Sequence, residues 1–191
     1  MGNPEYQDQN DMKLKHYDET VKELNETNIK LFINDDQVNF NKKIKLQKGI
    51  YEIKIEIKNY IMKDCRKMFF ECNDIINIDL SSFYNSNVNN MNYMFAFTVN
   101  NHFSKLEHIN LSLFDTQNVT NMENMFYNCS KLLNLDLSSF HTEKVINMRG
   151  MFFGCAKLKS LNLSSFDTSN VVNMNQMFWG CNDLIELYIS N

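Results

Sequence analysis

The residues of this chain that could do chemistry are five cysteines, four histidines and a set of regularly spaced acidic and amide side chains. Four of the cysteines follow a Met-Phe pair at the same distance. This Met-Phe-x-x-Cys segment could be a metal or redox site, or only the inner face of a folded element. The histidines show no metal-ligand spacing, and neither a dinucleotide-binding motif nor a Walker motif is present. We therefore expect no bound metal, no cofactor and no enzyme activity.

The Met-Phe pair belongs to an internal repeat that runs through most of the chain. It recurs with spacings of 26, 31, 26 and 26 residues, so one unit is 26 residues long and the chain holds about five units. Nine positions of the frame from Leu132 to Cys155 return in the frame from Leu158 to Cys181. This recurrence makes the Met and Cys residues part of a packing pattern rather than an isolated site.

Each unit combines two periodicities. The Leu-x-Leu segments alternate with a period of two, which predicts short strands with one buried face. The apolar residues from Val145 to Cys155 fall on one side of a short helix, and a Thr or Ser of the preceding Ser-Ser-Phe-x-Thr turn would cap its start. The predicted strands centre on residues 78–80, 109–111, 135–137, 161–163 and 187–189.

A unit this small cannot bury its apolar side alone, so successive units must stack and share one core. The predicted fold is an α/β repeat solenoid, with a parallel sheet on one side and short helices on the other. The repeated cysteines would then form a column with neighbours roughly 4.8 Å apart, within reach of a disulfide. Their odd total and their place on the apolar side favour reduced thiols in the core.

The unit Leu-x-x-Leu-x-Leu-Ser-x-Phe-x-Thr-x-x-Val-x-x-Met-x-x-Met-Phe-x-x-Cys resembles the leucine-rich repeat of the BspA-like surface proteins, over about residues 62 to 191. The resemblance implies a right-handed leucine-rich-repeat-like coil and a binding role, since members of that family are mostly surface or secreted proteins and some take part in adhesion. One departure is a column of Phe in place of the usual Asn ladder, which predicts a stack of rings. Its members are Phe83, Phe114, Phe140 and Phe166.

The two ends and one unit differ from this pattern. Residues 1–27 are polar and predict a flexible tail or a loosely held helix, and residues 28–60 alternate strictly, which predicts antiparallel strands that cap the first coil. The repeats fill residues 61–191. The 31-residue spacing places an insertion near residues 98–103, where Asn101, His102 and Phe103 are either a contact site or a tolerated loop.

The outward face of the predicted sheet is the surface that we expect to bind a partner. Repeat proteins use such extended faces to bind proteins, although the same polar rows could serve only to hydrate the sheet. The candidate side chains are Asp79, Asn110, Asp136, Asn162 and Tyr188 in one row, with His108 and Glu186 in the next.

Charge and hydropathy narrow the partner classes. The net charge is -4 with scattered Lys, which argues against nucleic acid, and no apolar run reaches the roughly 20 residues of a membrane span. The amino terminus carries no signal peptide, which slightly favours an intracellular site over the cell surface and leaves localisation open.

The chain stops within a predicted strand, so self-association through this open edge and a truncated molecule are both possible explanations. We predict a non-catalytic interaction or structural module within a larger assembly, the alternative being an exported surface adhesin fragment that binds a host or matrix ligand.

Overall fold

The structure is a computed structural model, and it describes residues 11–13, 29–39, 43–45, 53–57, 63–73, 75–83, 86–98 and 104–190. Within these ranges the regular elements are short strands, and there is no helix. The strands are β1 (Asp11–Lys13), β2 (Ile29–Ile33), β3 (Asp36–Val38), β4 (Lys43–Lys45), β5 (Ile53–Ile57), β6 (Asn77–Asp79), β7 (His108–Asn110), β8 (Ser160–Leu163) and β9 (Glu186–Ile189).

The antiparallel strands predicted ahead of the repeats are confirmed. β2 pairs antiparallel with both β3 and β5, and the β2–β3 hairpin turns at Asn34 and Asp35, whose positive φ angles of 50° and 68° suit a two-residue turn. β5 then pairs parallel with β6, so the sheet order is β3-β2-β5-β6-β7. These strands therefore extend the sheet beyond the first repeat strand. The domain limits near residues 27 and 60 stay predictions, because both lie outside the described ranges.

The predicted amino-terminal tail contains one described element. β1 pairs antiparallel with β4, with Met12 opposite Ile44. This short strand differs from both the flexible tail and the loosely held helix that the polar composition predicts. The rest of residues 1–27 lies outside the described part of the chain.

Four of the five predicted repeat strands are present. β6 pairs parallel with β7, and β8 pairs parallel with β9. The strand predicted at Leu135 to Leu137 is wrong, although Leu135 and Leu137 are buried and Asp136 between them is exposed. Alternating burial needs only an extended backbone, whereas a strand also needs ladder hydrogen bonds to a neighbour. The sequence pattern predicts the first property and not the second.

The helix predicted from Val145 to Cys155 is also wrong, because this segment is a series of tight turns. The N–H groups of Met151 and Phe153 donate to carbonyls three residues earlier, at 3.2 and 2.9 Å. The intervening N–H groups of Gly150 and Phe152 instead donate to the next repeat, to the carbonyls of Asn175 and Met177 at 2.9 and 3.0 Å. Every second donor thus leaves the segment, so the bonds of an α-helix cannot form.

Four of the five units place two left-handed residues in these tight turns, and the unit of Met94 has one, Tyr93. Gly150 and Gly154 have φ angles of 57° and 71°, and Asn124 and Asn128 hold the same positions one unit earlier with 53° and 57°. Asn and Gly are the residues that adopt this conformation most readily. A Cβ atom on Gly150 would also overlap the side-chain oxygen of Asn124, which fills the space above it.

Successive units lie side by side in register, with equivalent residues of neighbouring units in contact. Parallel bridges join Asp64, Asn90, Asn121, Asn147 and Asn173 in order. The predicted stack of Phe rings is confirmed: Phe83, Phe114, Phe140 and Phe166 follow one another at centroid separations of 5.8, 6.1 and 6.4 Å. The Phe of each Met-Phe pair forms a second stack, with separations of 5.4 to 5.9 Å. The core is therefore one continuous column of repeated Met, Leu, Phe and Cys side chains.

Candidate functional site

The candidate site is the outward face of the repeat strands, which we call the strand face. In β6 and β8 the inward residues Ile78 and Leu161 are buried, and the flanking residues point to solvent. All seven strand-face residues predicted from the sequence are exposed. The alternation of buried and exposed residues holds in β6, in β8 and from Leu135 to Leu137, where no strand forms. In β7 the inward Ile109 is half-buried, and in β9 all four residues are exposed.

The structure brings the predicted residues together in two groups. Asp79 lies opposite Asn110 on neighbouring strands, and Asn162 lies opposite Tyr188 in the other strand pair. The Tyr188 hydroxyl donates to Glu186 Oε2 at 3.4 Å. Asp136 lies on the segment between the two pairs and has no ladder partner in the described residues. The strand face is therefore two paired patches joined by an exposed, unpaired middle.

Most side chains of the first row also hold the backbone. The Oδ1 atoms of Asp79, Asn110, Asp136 and Asn162 each accept the N–H of the Ser two residues later, at 2.9, 3.1, 2.9 and 3.0 Å. This bond closes the turn that follows each of the four residues. The N–H and the hydroxyl of Ser138 lower the pKa of Asp136, so this carboxylate is ionised at neutral pH. The row offers fixed hydrogen-bond acceptors to a partner, and the ionised Asp136 carboxylate is a poor proton donor near pH 7.

Two further sets of side chains close turns in the same way and were not predicted from the sequence. Asn90, Asn121, Asn147 and Asn173 each accept the N–H two residues later, and so do Asp115 and Asp167 at another corner of the unit. The signal was present, because these Asn and Asp residues recur in the same register as the apolar frame. Much of the Asn content therefore serves to close turns.

The Thr of the Ser-Ser-Phe-x-Thr turn links neighbouring units rather than capping a helix. Thr142 Oγ1 donates to the carbonyl of Asp167 at 2.9 Å and accepts the N–H of the same residue at 2.8 Å. Thr116 makes the same pair of bonds to His141 at 2.8 and 2.7 Å. Both Thr residues are buried, so each hydroxyl satisfies two backbone groups at the contact between units.

Four cysteines are buried in the core, and Cys181 is partly buried against it; three of the thiols donate hydrogen bonds to the preceding unit. Cys129 Sγ donates to the carbonyl of Phe95 at 3.2 Å, Cys155 to Phe126 at 3.2 Å and Cys181 to Phe152 at 3.1 Å. Burial raises the pKa of all three thiols above the ordinary value of 9.0. A neutral, buried thiol is a poor nucleophile and a poor metal ligand, so the Met-Phe-x-x-Cys segment contributes packing.

The predicted insertion residues Asn101, His102 and Phe103 lie outside the described residues, and their role stays a prediction. Earlier in the same sequence segment, the Thr98 hydroxyl donates a hydrogen bond to the Glu71 carboxylate. In the described ranges no three His, Cys, Asp or Glu side chains converge so as to hold a metal ion. The same ranges contain no helix long and apolar enough to cross a membrane.

One family model matches the chain, twice and in tandem. Its description is "Mycoplasma protein of unknown function, DUF285", and the matches cover residues 12–102 and 97–188. No curated protein and no solved structure shows significant similarity to the chain. The tandem match agrees with a chain built from repeated units.

Proposed function

The chain belongs to the DUF285 family, and we propose that it is a non-catalytic interaction module whose strand face binds a protein partner. The observation that carries the proposal is the regular exposure of the two outward rows on a backbone fixed by repeated turns. Such a face is preorganised, so a partner would bind without much loss of backbone entropy on this side.

We also propose that the stacked units form a leucine-rich-repeat-like solenoid of the BspA type. Parallel bridges at one corner, two stacks of Phe rings and parallel strand pairs all repeat with the period of the sequence, which supports this architecture. In such repeat proteins each unit contacts only its neighbours, so the face lengthens with each added unit.

The chemistry of the strand face favours a partner rich in hydrogen-bond donors. Asp79, Asp136 and Glu186 make the face mildly acidic, and His108 is the one basic side chain among the seven predicted residues. The carboxylates of Asp79 and Asp136, each fixed through Oδ1 by a Ser N–H, keep further acceptor capacity for a partner, whereas Asn162 Oδ1 also accepts the Ser164 hydroxyl. We therefore expect an exposed polar or basic protein segment as the ligand.

Affinity capture of the tagged protein from its own cells tests this proposal. The test variant is Asn134→Arg with Ser160→Arg. These two exposed residues stand at the repeat position of Glu186, in the second outward row, and their side chains close no turn in the described residues. The changes add charge and bulk to the strand face. The control variant, Asn89→Arg with Asn182→Arg, makes equivalent changes at exposed positions away from the strands. We expect the test variant to lose the partner and the control to keep it.

Capture of the same partners by both variants would show that the strand face is not the binding surface. A host or matrix ligand bound by the control variant and lost by the test variant would keep the binding face and favour the exported adhesin. Circular dichroism spectra of both variants should match that of the parent protein, so that a lost partner reports on binding rather than on folding.

A further inference from the structure

The left-handed turn positions carry different residues in the first two units than in the later ones. In the three later units five of these six positions are Asn or Gly, and the sixth is Gln176. In the first two units they are Lys67, Glu71 and Tyr93, with φ angles of 57°, 56° and 56°. A bulky side chain adopts this conformation at a cost in free energy that Gly avoids and Asn reduces. The first two units are therefore strained at three residues.

The strained residues lie next to one another on the tight turns of two adjacent units. The Lys67 Nζ atom lies over the Phe70 ring, 5.6 Å from its centroid, and over the Tyr93 ring at 6.0 Å. The two rings meet edge to face, with centroids 6.2 Å apart and planes at 77°. Glu71, one residue beyond Phe70, accepts a hydrogen bond from the Thr98 hydroxyl. We call this half-buried cluster of five side chains the aromatic corner.

Packing of the turns does not account for these large side chains. In the later units small residues serve the same position, and the Asn124 side chain fills the space above Gly150. Among the described residues, the Lys67 ammonium and the Tyr93 hydroxyl make no hydrogen bond and no ion pair. Strained residues that come together around unused polar groups are typical of a binding site. The aromatic corner is therefore a candidate site that was not predicted from the sequence.

The chemistry of the aromatic corner suits an uncharged ligand that carries hydroxyl groups. Between Asp64 and Glu71 the charges cancel, because Arg66 and Lys67 offset the two carboxylates, and Arg66 Nε already pairs with Asp64 at 2.7 Å. An ion of either sign therefore gains little attraction here. The ammonium group only donates hydrogen bonds, the carboxylate only accepts them, and the Tyr93 hydroxyl does both. A ligand hydroxyl can match all three groups, while an aromatic ring takes an apolar C–H surface.

We propose that the aromatic corner binds a neutral oligosaccharide. One sugar ring lays its C–H face on the Tyr93 or Phe70 ring, and its hydroxyl groups donate to the Glu71 carboxylate and accept from the Lys67 ammonium. This activity goes beyond the proposed protein-binding role, because the aromatic corner and the strand face use different residues of each unit.

Binding to a printed array of neutral, sulfated and sialylated oligosaccharides tests the proposal, with the fluorescently labelled full chain as the probe. Isothermal titration then measures the affinity for each neutral oligosaccharide that binds. The test variant is Tyr93→Asn, which installs the residue that Asn124 provides at the same position. The matched control is Tyr127→Asn, which removes a half-buried Tyr that stacks on Phe153 at 4.5 Å and has no left-handed backbone.

The two variants should respond in opposite ways. We expect Tyr93→Asn to weaken binding at least tenfold while Tm stays equal or rises, because Asn relieves the backbone strain. Tyr127→Asn should bind normally and lose about 2–4 °C in Tm, because it loses a ring stack without any relief of strain. Lys67→Asn should also weaken binding at least tenfold, since it removes the ammonium donor and again places Asn at a left-handed position.

The proposal is overturned if the parent chain binds no neutral oligosaccharide, or binds only sulfated or sialylated ones. Unchanged binding by Tyr93→Asn and Lys67→Asn would also overturn it. A fall in Tm of more than about 4 °C in Tyr93→Asn would show that packing holds Tyr93 in place, which contradicts the inference as well. The Asn134→Arg with Ser160→Arg variant should bind the oligosaccharide normally, so failure here and failure of strand-face capture can be told apart.

Discussion

Replacing Thr142 by Val removes the hydroxyl that joins two units and changes little else. The side chain is fully buried, and its Oγ1 both donates to and accepts from the backbone of Asp167. Val has nearly the same shape, so the change leaves no large cavity. Two hydrogen bonds at about 0.5–1.5 kcal/mol each give an expected loss of roughly 1–3 kcal/mol in the free energy of unfolding.

The same position one unit later provides the control. Thr168 is exposed, and no unit covers it within the described residues. Thr168→Val therefore removes no bond between units, and we expect a change within about 0.5 kcal/mol. Urea unfolding followed by far-ultraviolet circular dichroism measures both variants. A loss of 1–3 kcal/mol should also lower Tm by roughly 2–4 °C for each kcal/mol in a chain of this size.

Equal stability of the two variants would refute this reasoning. If both were unchanged, the Thr142 hydroxyl would contribute nothing to the contact between units. If both lost stability equally, the loss would come from the local preference of the turn for Thr, because only Thr142 bonds to a neighbouring unit.

Three further predictions use the same assays. Gly150→Ala should destabilise the chain more than Gly180→Ala. Both glycines have a positive φ, but of the two only Gly150 would place a Cβ over a side-chain oxygen. The difference between the urea midpoints of the two variants measures the effect. Asp136→Asn should leave the stability of the chain nearly unchanged, whereas Asp136→Ala should lower it slightly, because only Ala removes the acceptor for the Ser138 N–H. Thermal unfolding of the two variants compares them. The pKa values of the buried Cys129 and Cys155 thiols lie above their unfolded value near 9.0. This contribution to stability is fully present below pH 9.0 and declines as the pH rises beyond it, and urea midpoints between pH 7 and 10.5 should show that decline.

The sequence predicts the repeat, the core and the exposure of the strand face, because these follow from a periodic apolar pattern. Met148, Met151, Phe152 and Cys155 are buried as expected, and the stack of Phe140 on Phe166 is confirmed. Burial depends on which side of the backbone a residue occupies, and a regular sequence repeat records that directly.

The local conformation was harder to predict, for a physical reason. Offsets of three, four and seven residues fit one side of a helix, but they fit a series of tight turns equally well. The backbone hydrogen bonds decide between a helix and tight turns. The N–H groups of Gly150 and Phe152 donate to carbonyls 25 residues further along the chain, and a local sequence pattern does not record such partners. The Asn and Gly residues at left-handed positions were the available local signal.

The candidate site was also predicted only in part. Exposure of Asp136 and Asn162 was predictable from the alternation with buried Leu, whereas their bonds to the Ser N–H groups were not part of the predicted role. A short polar side chain after a strand can close a turn or meet a partner, and Asp and Asn serve either purpose.

Residue-resolved amide hydrogen exchange tests the central claim that each unit is held by backbone bonds to the next. The N–H groups of Gly150 and Phe152 donate to the following unit, while those of Gln176 and Phe178 occupy the same positions in the last described unit and have no acceptor opposite in the described residues. We expect exchange at Gly150 and Phe152 to be slower by at least about 100-fold than at Gln176 and Phe178. Equal protection at the four sites would indicate bonds within each segment, as in a helix, and would contradict the account.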